Sequence, residues 1–450
     1  MIFIRESKMK YNKLKLFTVI ALIMCALSNV FAQNPIIRDQ FSADPTARVF
    51  NGKMYLFPSH DIPTPADQKQ LRKNWFCMED YHLFSSENLT DWKDHGVIVT
   101  QTKVPWLTHI NYDMWAPDCV TKNGKYYFYF PVGGKIGVAT ADKPEGPYTV
   151  LNQPVTGIEG IDPCVLIDKD GQAYIFTARG RISVAKLKDN MTEVDGEVQI
   201  IANLPTKGLI EGPFAMELNG KYYLTYPHVE NKIERLEYAM SDSPMGPYKP
   251  VGVIMDESAS GCWTNHQSIV KYKGQWYLFY HDRDYSPKFD KNRSVRVDSL
   301  FFNTDGTIRK VTPTFRGVGL TPASEKIQLD RYSNLSKNGA SIVLLDTANT
   351  FAGWKTILNS SEAWVQYNAV KFGATALKSV QVKVYSSTGG ILQVRLDKVD
   401  GSVVASINVP KGSDWKTINS LVRKILPGTH NLFVSLLGNG NVEIDWISFK

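Results

Sequence analysis

The sequence predicts an all-β protein in two parts, a five-bladed β-propeller followed by a β-sandwich of jelly-roll type, on three observations. A short phrase recurs five times, a tight turn followed at once by an aromatic-rich strand: Asn51-Gly52-Lys53, Asn123-Gly124-Lys125, Asp170-Gly171-Gln172, Asn219-Gly220-Lys221 and Lys273-Gly274-Gln275 each open such a strand. These glycines lie 72, 47, 49 and 54 residues apart, and repeats of roughly 40–50 residues with several short strands each mark propeller blades. Beyond residue 326 the repeat gives way to shorter alternating strands, such as Val380–Val384, Leu392–Leu396 and Leu432–Leu436, with one polar face each, which is the pattern of a sandwich.

Each element has a local reason. Asn-Gly and Asp-Gly supply the positive φ of a two-residue hairpin turn, and the apolar and aromatic residues behind them suit a strand. Three further segments, Ser85–Trp92, Ala141–Tyr148 and Ser241–Tyr248, read as one outer turn that ends in an aromatic ring. The first gap exceeds one blade, and the excess, about Ser59 to Trp75 and Thr100 to Tyr112, reads as loops; long loops on a rigid scaffold commonly line a cleft. Arg296 to Pro313 can close the ring. The domain boundaries follow as residues 33–320 for the propeller, 321–326 for a linker and 327–450 for the sandwich.

The strand before each hairpin opens on a polar residue at nearly constant offset. Asp44 stands eight residues before its glycine, Asp162 nine, Glu211 nine and His266 eight; in the second repeat Trp115 is nine before and Asp118 six. Equivalent positions on symmetry-related strands converge on the propeller axis, so Asp44, Asp162, Glu211 and His266 should face one another. Asp-Pro and Glu-Gly-Pro are also ordinary turn sequences, but a turn does not require an acid in three of five copies.

Composition narrows the function classes. At 450 residues, with 43% hydrophobic and 12% aromatic content, the chain can bury ample core in two or three domains. The net charge of +7 is modest and dispersed, which disfavours nucleic acid as a partner. Arg5, Lys8, Lys10, Lys13 and Lys15 precede an apolar run from Leu16 to Leu27 and the small residue Ala32. Residues 1–32 therefore read as a secretory signal peptide, too short for a membrane span, and export to the periplasm, the cell surface or the medium is expected. Methionine before Cys25 argues against a lipid anchor. Cys77, Cys119, Cys164 and Cys262 remain after cleavage, and their spacing leaves buried thiols and bridges both open. The histidines show no paired spacing that would suggest zinc. A monomer is expected.

At this point the residues carry a resemblance. Ala43-Asp44-Pro45, Met114-Trp115-Ala116-Pro117-Asp118, Ile161-Asp162-Pro163, Glu211-Gly212-Pro213 and Asn265-His266-Gln267 resemble glycoside hydrolase family 43, over about residues 34–320. Gly353-Trp354, Trp364–Tyr367, Gly389-Gly390, Gly412–Thr417 and Ile444–Phe449 resemble a family 6 carbohydrate-binding module. The first resemblance implies an inverting hydrolase of arabinofuranosides or xylosides, with Asp44 as general base, Glu211 as general acid and Asp162 orienting the acid. It further implies Trp115, Asp118, His266 and Arg296 around the sugar, and His266 beside an axial ion. The second implies Trp354 and Trp415 sandwiching a sugar ring with Asn441 nearby. Its opening, Gln328–Tyr332, departs from the usual acidic phrase, so a structural calcium held by Asp330 and Asp445 is the weaker part of that implication. No cofactor is implied for the chemistry. The expected partner is a hemicellulose such as arabinoxylan, attacked from chain ends or branches; an endo-arabinanase, or a propeller that only grips sugar, are the alternatives. The long loops around Trp75 favour a closed pocket and exo action.

Overall fold

The computed structural model describes residues 34–65, 74–208 and 211–450. The signal peptide expected over residues 1–32 lies outside the described residues. Nearly all regular structure is strand, in seven sheets. Five sheets form the first part in chain order: four four-stranded antiparallel meanders whose innermost strands are Ala43–Phe50, Asp118–Lys122, Ile161–Ile167 and Phe214–Leu218, then a three-stranded one opening with Ser268–Tyr272. We number these sheets as blades 1 to 5.

Every repeat glycine sits in the hairpin between the first and second strands of its blade. Gly52, Gly124, Gly171, Gly220 and Gly274 all have φ between 75° and 87°, a conformation that costs other residues more than glycine. The outer turns also repeat in detail: the Tyr148 hydroxyl donates to Pro144 O and the Tyr248 hydroxyl to Pro244 O, each at 2.9 Å. Aromatic and aliphatic residues of neighbouring blades interdigitate, as where Phe128 meets Phe57 and Tyr81.

The ring closes on its own N-terminus. Blade 5 ends with Ser294–Leu300, shorter than the closing segment read from the sequence, and residues 34–42 run beside it. Ile36 N–H donates to Val295 O and Ser42 N–H to Arg293 O, both at 2.9 Å, while the Asn34 carboxamide accepts from Val297 N–H and donates to Val297 O.

The second part is a sandwich of two six-stranded sheets with one apolar core. The linker expected at 321–326 is instead part of it. Thr321–Pro322 pairs in parallel with the strand Trp364–Phe372, and Ala323 exchanges backbone bonds with Lys371 and Phe449. The two domains also touch directly. Arg331 donates to Asn34 O at 2.7 Å and to the Tyr285 hydroxyl at 3.2 Å, and Arg316 donates to Asn368 O at 2.8 Å.

Cys77, Cys119, Cys164 and Cys262 are buried free thiols. Among the described residues no helix is long and apolar enough to cross a membrane.

Candidate active site

Asp44 and Asp162 hold the same place in blades 1 and 3, second in the innermost strand and followed by proline. Both have left-handed backbone, with φ of 46° and 53°, and the strand register slips at each of them. Such a bulge re-aims a side chain without ending the strand, and aspartate tolerates this region because its short polar side chain bonds locally. Glu211 stands three residues ahead of Phe214–Leu218 in blade 4, and His266 two ahead of Ser268–Tyr272 in blade 5. Gly212 ties the set together: its N–H donates to Asp162 Oδ2 and its carbonyl accepts from Gln267 Nε2, each at 2.9 Å.

The three acids and His266 line one pocket of about 430 Å³, counted to its mouth. Thr264 and Arg293 complete its polar side. The rest of the lining is Trp75, Phe76, Met78, Trp115 and Trp263, with the Arg293 guanidinium 4.6 Å from the Phe76 ring. Phe76 and Trp263 stack at 5.8 Å, with Trp75 against both and the Lys291 ammonium over all three rings. The lining matches that of small-molecule sites, which are mostly apolar with a few converging polar groups.

Electrostatics divides the acids. Asp44 is 6% exposed, and burial alone would raise its pKa. Arg293 outweighs this with a forked pair of hydrogen bonds at 2.8 and 3.1 Å; with His281, His266 and a 2.6 Å bond from the Ser59 hydroxyl, it holds Asp44 down to about 2. Arg293 is itself fixed by Asp61 at 2.9 Å. The Asp44 N–H donates to His281 Nδ1 at 3.1 Å, so the proton of that imidazole sits on Nε2, which faces Thr264 O at 3.0 Å. Burial keeps His281 neutral, lowered to about 3.

Glu211 is pushed the other way, up to about 7, by burial and then by the Asp44 charge. Asp162 is raised well above the carboxylate range by burial, then by Glu211 and Asp44. The pocket therefore holds one carboxyl held low, Asp44, and two pushed up, Glu211 and Asp162. Those are the two states that general base and general acid require.

A family model for glycosyl hydrolases family 43 matches residues 32–308. The chain belongs to glycosyl hydrolases family 43. A second model, carbohydrate binding module family 6, matches residues 336–450. The xylosidase/arabinosidase 43A of Humicola insolens is 36% identical over 327 residues, covering 61% of this chain and 98% of that one. The arabinoxylan arabinofuranohydrolase of Bacillus subtilis (strain 168) is 28% identical over 477 residues, covering 90% of both chains. A crystal structure of a Bacillus subtilis arabinoxylan arabinofuranohydrolase with cellotetraose superposes with a TM-score of 0.57 at 26% identity, over 94% of this chain and all of that one. A β-xylosidase/α-arabinofuranosidase from a compost metagenome, solved with xylotriose in a calcium-free form, gives 0.57 at 31%, over 63% of this chain and 98% of that one.

Within this family 43 hydrolase, several sequence-based assignments move. Asp118 does not line the pocket: it opens the inner strand of blade 2, 1% exposed, forks onto Arg48 and accepts from Val165 N–H at 2.7 Å, which stitches blades 1 to 3 around the axis. Arg296 is likewise elsewhere, forked onto Asp284 and packed over Phe315 at 4.3 Å. The arginine of the pocket is Arg293. Trp115 and His266 do line the pocket, and burial lowers His266 to about 4.

In the module, Trp354 is not an open platform. It stacks on Tyr285 of the propeller at 4.9 Å with the Arg331 guanidinium 4.4 Å from its ring. Trp415 stays half-buried near Tyr385, with the Lys355 and Lys383 ammonium groups at 5.9 and 5.7 Å. Asn441 has its Oδ1 buried without a protein partner.

At the calcium candidates of the module, Asp330 faces Arg331 at 3.1 Å and Asp445 faces Lys383 at 2.8 Å, while both carboxylate oxygens of Asp330 are buried without a hydrogen-bond partner. At the axis, a neutral His266 offers one nitrogen, whereas calcium takes mainly oxygen. Hydrolysis in this family needs no cofactor.

Proposed function

We propose that this hydrolase is an exported, exo-acting enzyme that removes arabinofuranosyl or xylosyl units from arabinoxylan with inversion, working as a single chain. Asp44 takes a proton from a water as the water oxygen bonds to the anomeric carbon. The glycosidic C–O bond breaks on the other side, and Glu211 gives its proton to the departing oxygen. Inversion needs the two carboxyls roughly 6.5–9.5 Å apart, so that sugar and water fit between them. Asp162 orients the acid through Gly212, whose N–H it accepts. The observation that carries this reading is one pocket lined by both Asp44, onto which Arg293 forks, and Glu211, which burial and the Asp44 charge push up.

The sugar class is supported by the pocket and by the relatives. Trp75, Phe76, Trp115 and Trp263 offer ring faces to the C–H faces of a pentose, a contact that excludes water. Relatives named xylosidase/arabinosidase are 36% and 32% identical to this chain, and one named arabinoxylan arabinofuranohydrolase is 28% identical. The packing of Trp75 and Phe76 against Trp263 closes one side of the pocket, which favours a terminal or branching unit over the middle of a polymer. The module would hold polymer through Trp415 and Asn441.

The test is a time course on arabinoxylan beside 4-nitrophenyl arabinofuranoside and xyloside. Free arabinose or xylose from the first time point supports the reading. Oligosaccharides without monosaccharide would overturn exo action.

A further inference from the structure

Glu234 is a fourth acid at this end of the ring that the chemistry above does not use. It opens the third strand of blade 4, Glu234–Ser241, and is 1% exposed. Its N–H donates to Trp263 O at 3.3 Å, and its Oε2 accepts from Asn265 N–H at 2.6 Å. These two bonds grip the segment Trp263-Thr264-Asn265-His266, of which three residues line the pocket. The other oxygen, Oε1, is buried with no hydrogen-bond partner. Arg235, next in the strand, pairs instead with Glu230 and Glu237. The titratable groups that act on Glu234 are Glu211, Asp162 and Asp44, all carboxyls; after burial, they are what drive its pKa well above the usual range. A buried carboxylate facing like charges is costly, so the group keeps its proton.

We propose that Glu234 is a positioning residue of the hydrolase, an uncharged buried carboxyl that clamps the Trp263–His266 wall and presents a neutral polar neighbour to Glu211. The inference rests on the acid role of Glu211. A neutral carboxyl adds no further negative charge beside the acid, and its O–H dipole steadies the carboxylate left when Glu211 gives up its proton.

The experiment compares E234Q and E234L on the oligosaccharide that the wild type hydrolyses. Glutamine keeps the accepting oxygen and a neutral donor, so E234Q should stay within about twofold of wild type in kcat/KM, with its alkaline limb unmoved. E234L should lose about tenfold in kcat with little change in KM, and its alkaline limb should move up by about half a pH unit, because ionised Glu211 loses a polar neighbour. An E234L limb at the wild-type pH reduces Glu234 to structure, and an E234Q limb that moves shows a charge where a neutral group is claimed; either overturns the proposal. A readout without activity covers an E234L that fails to fold. The native state holds on Glu234 a proton that the unfolded chain releases above the ordinary carboxylate range, so wild type should lose melting temperature relative to E234Q as pH rises from about 5 to about 8. A flat difference means that Glu234 titrates normally and ends the proposal. E211Q reads the acid role separately, since its loss of activity does not depend on Glu234.

Discussion

Replacing Glu211 by glutamine removes the proton donor and little else, and the structure fixes how large the effect should be. Glu211 is held at about 7 by burial beside ionised Asp44. In the wild type the acid is then about nine-tenths protonated at pH 6 and about one-tenth at pH 8, so kcat/KM should fall about tenfold across that interval. In E211Q a natural glycoside, whose leaving oxygen needs a proton, should lose about 10²–10⁴ in kcat, or about 3–5 kcal/mol of transition-state stabilisation. A 4-nitrophenyl glycoside leaves readily without that proton, so its loss should be much smaller and its alkaline limb should vanish. Stability should move the opposite way. A raised native pKa means that the folded enzyme loses stability as pH rises from the ordinary carboxylate range through about 7. E211Q should therefore gain melting temperature over wild type at pH 8 more than at pH 5. The assay is initial rates on both substrates from about pH 4 to pH 9, with thermal melts in the same buffers. Undiminished turnover of the natural substrate, or an alkaline limb that survives in E211Q, would refute the assignment.

Other substitutions test the supporting geometry. Arg293→Met leaves Asp44 and Asp61 buried without their cation and should cost about 3–5 kcal/mol in denaturant unfolding. Arg293→Lys keeps a charge but loses the fork, so Asp44 should rise from about 2 and the acid limb of kcat/KM should move to higher pH. At Gly212 the backbone has φ of 69° and a Cβ would come 2.7 Å from the Pro227 ring; Gly212→Ala should displace the Glu211 turn and cut kcat about tenfold or more, read on the natural substrate. Trp354→Ala should lower the melting temperature by loosening the domain contact and leave arabinoxylan affinity unchanged. Trp415→Ala should lower that affinity in gel retardation with the melting temperature kept.

The repeat made most of this legible. Five turns in register gave the blades, and the constant offset of Asp44, Asp162, Glu211 and His266 from those turns gave the polar centre, because symmetry converts sequence offset into position. What the repeat does not encode stayed hidden. Asp118 breaks the offset, and the structure shows why: it opens its strand and turns to Arg48 rather than to the pocket. Arg293 and Arg296 are three residues apart on the same segment, and alternation alone does not say which one reaches the axis. The partners that decide it, Asp44 and Asp61, lie 249 and 232 residues away. Phe76, Trp263 and Glu234 come from connections and an outer strand, where no repeat sets the register. Trp354 matches a sugar-sandwiching aromatic of the module, and only the docked propeller gives it Tyr285 as a neighbour. The segment 321–326 looked like a spacer because its pairing partner, Trp364–Phe372, lies some forty residues on.

The proposed inversion has Asp44 and Glu211 working from opposite sides of one bond with a water between sugar and base. The most direct measurement is the anomeric configuration of the first-formed sugar, followed by proton NMR before mutarotation sets in. Inversion releases the anomer opposite to that of the substrate linkage. Initial release of the same anomer would mean a covalent intermediate on one of these carboxyls and would contradict it.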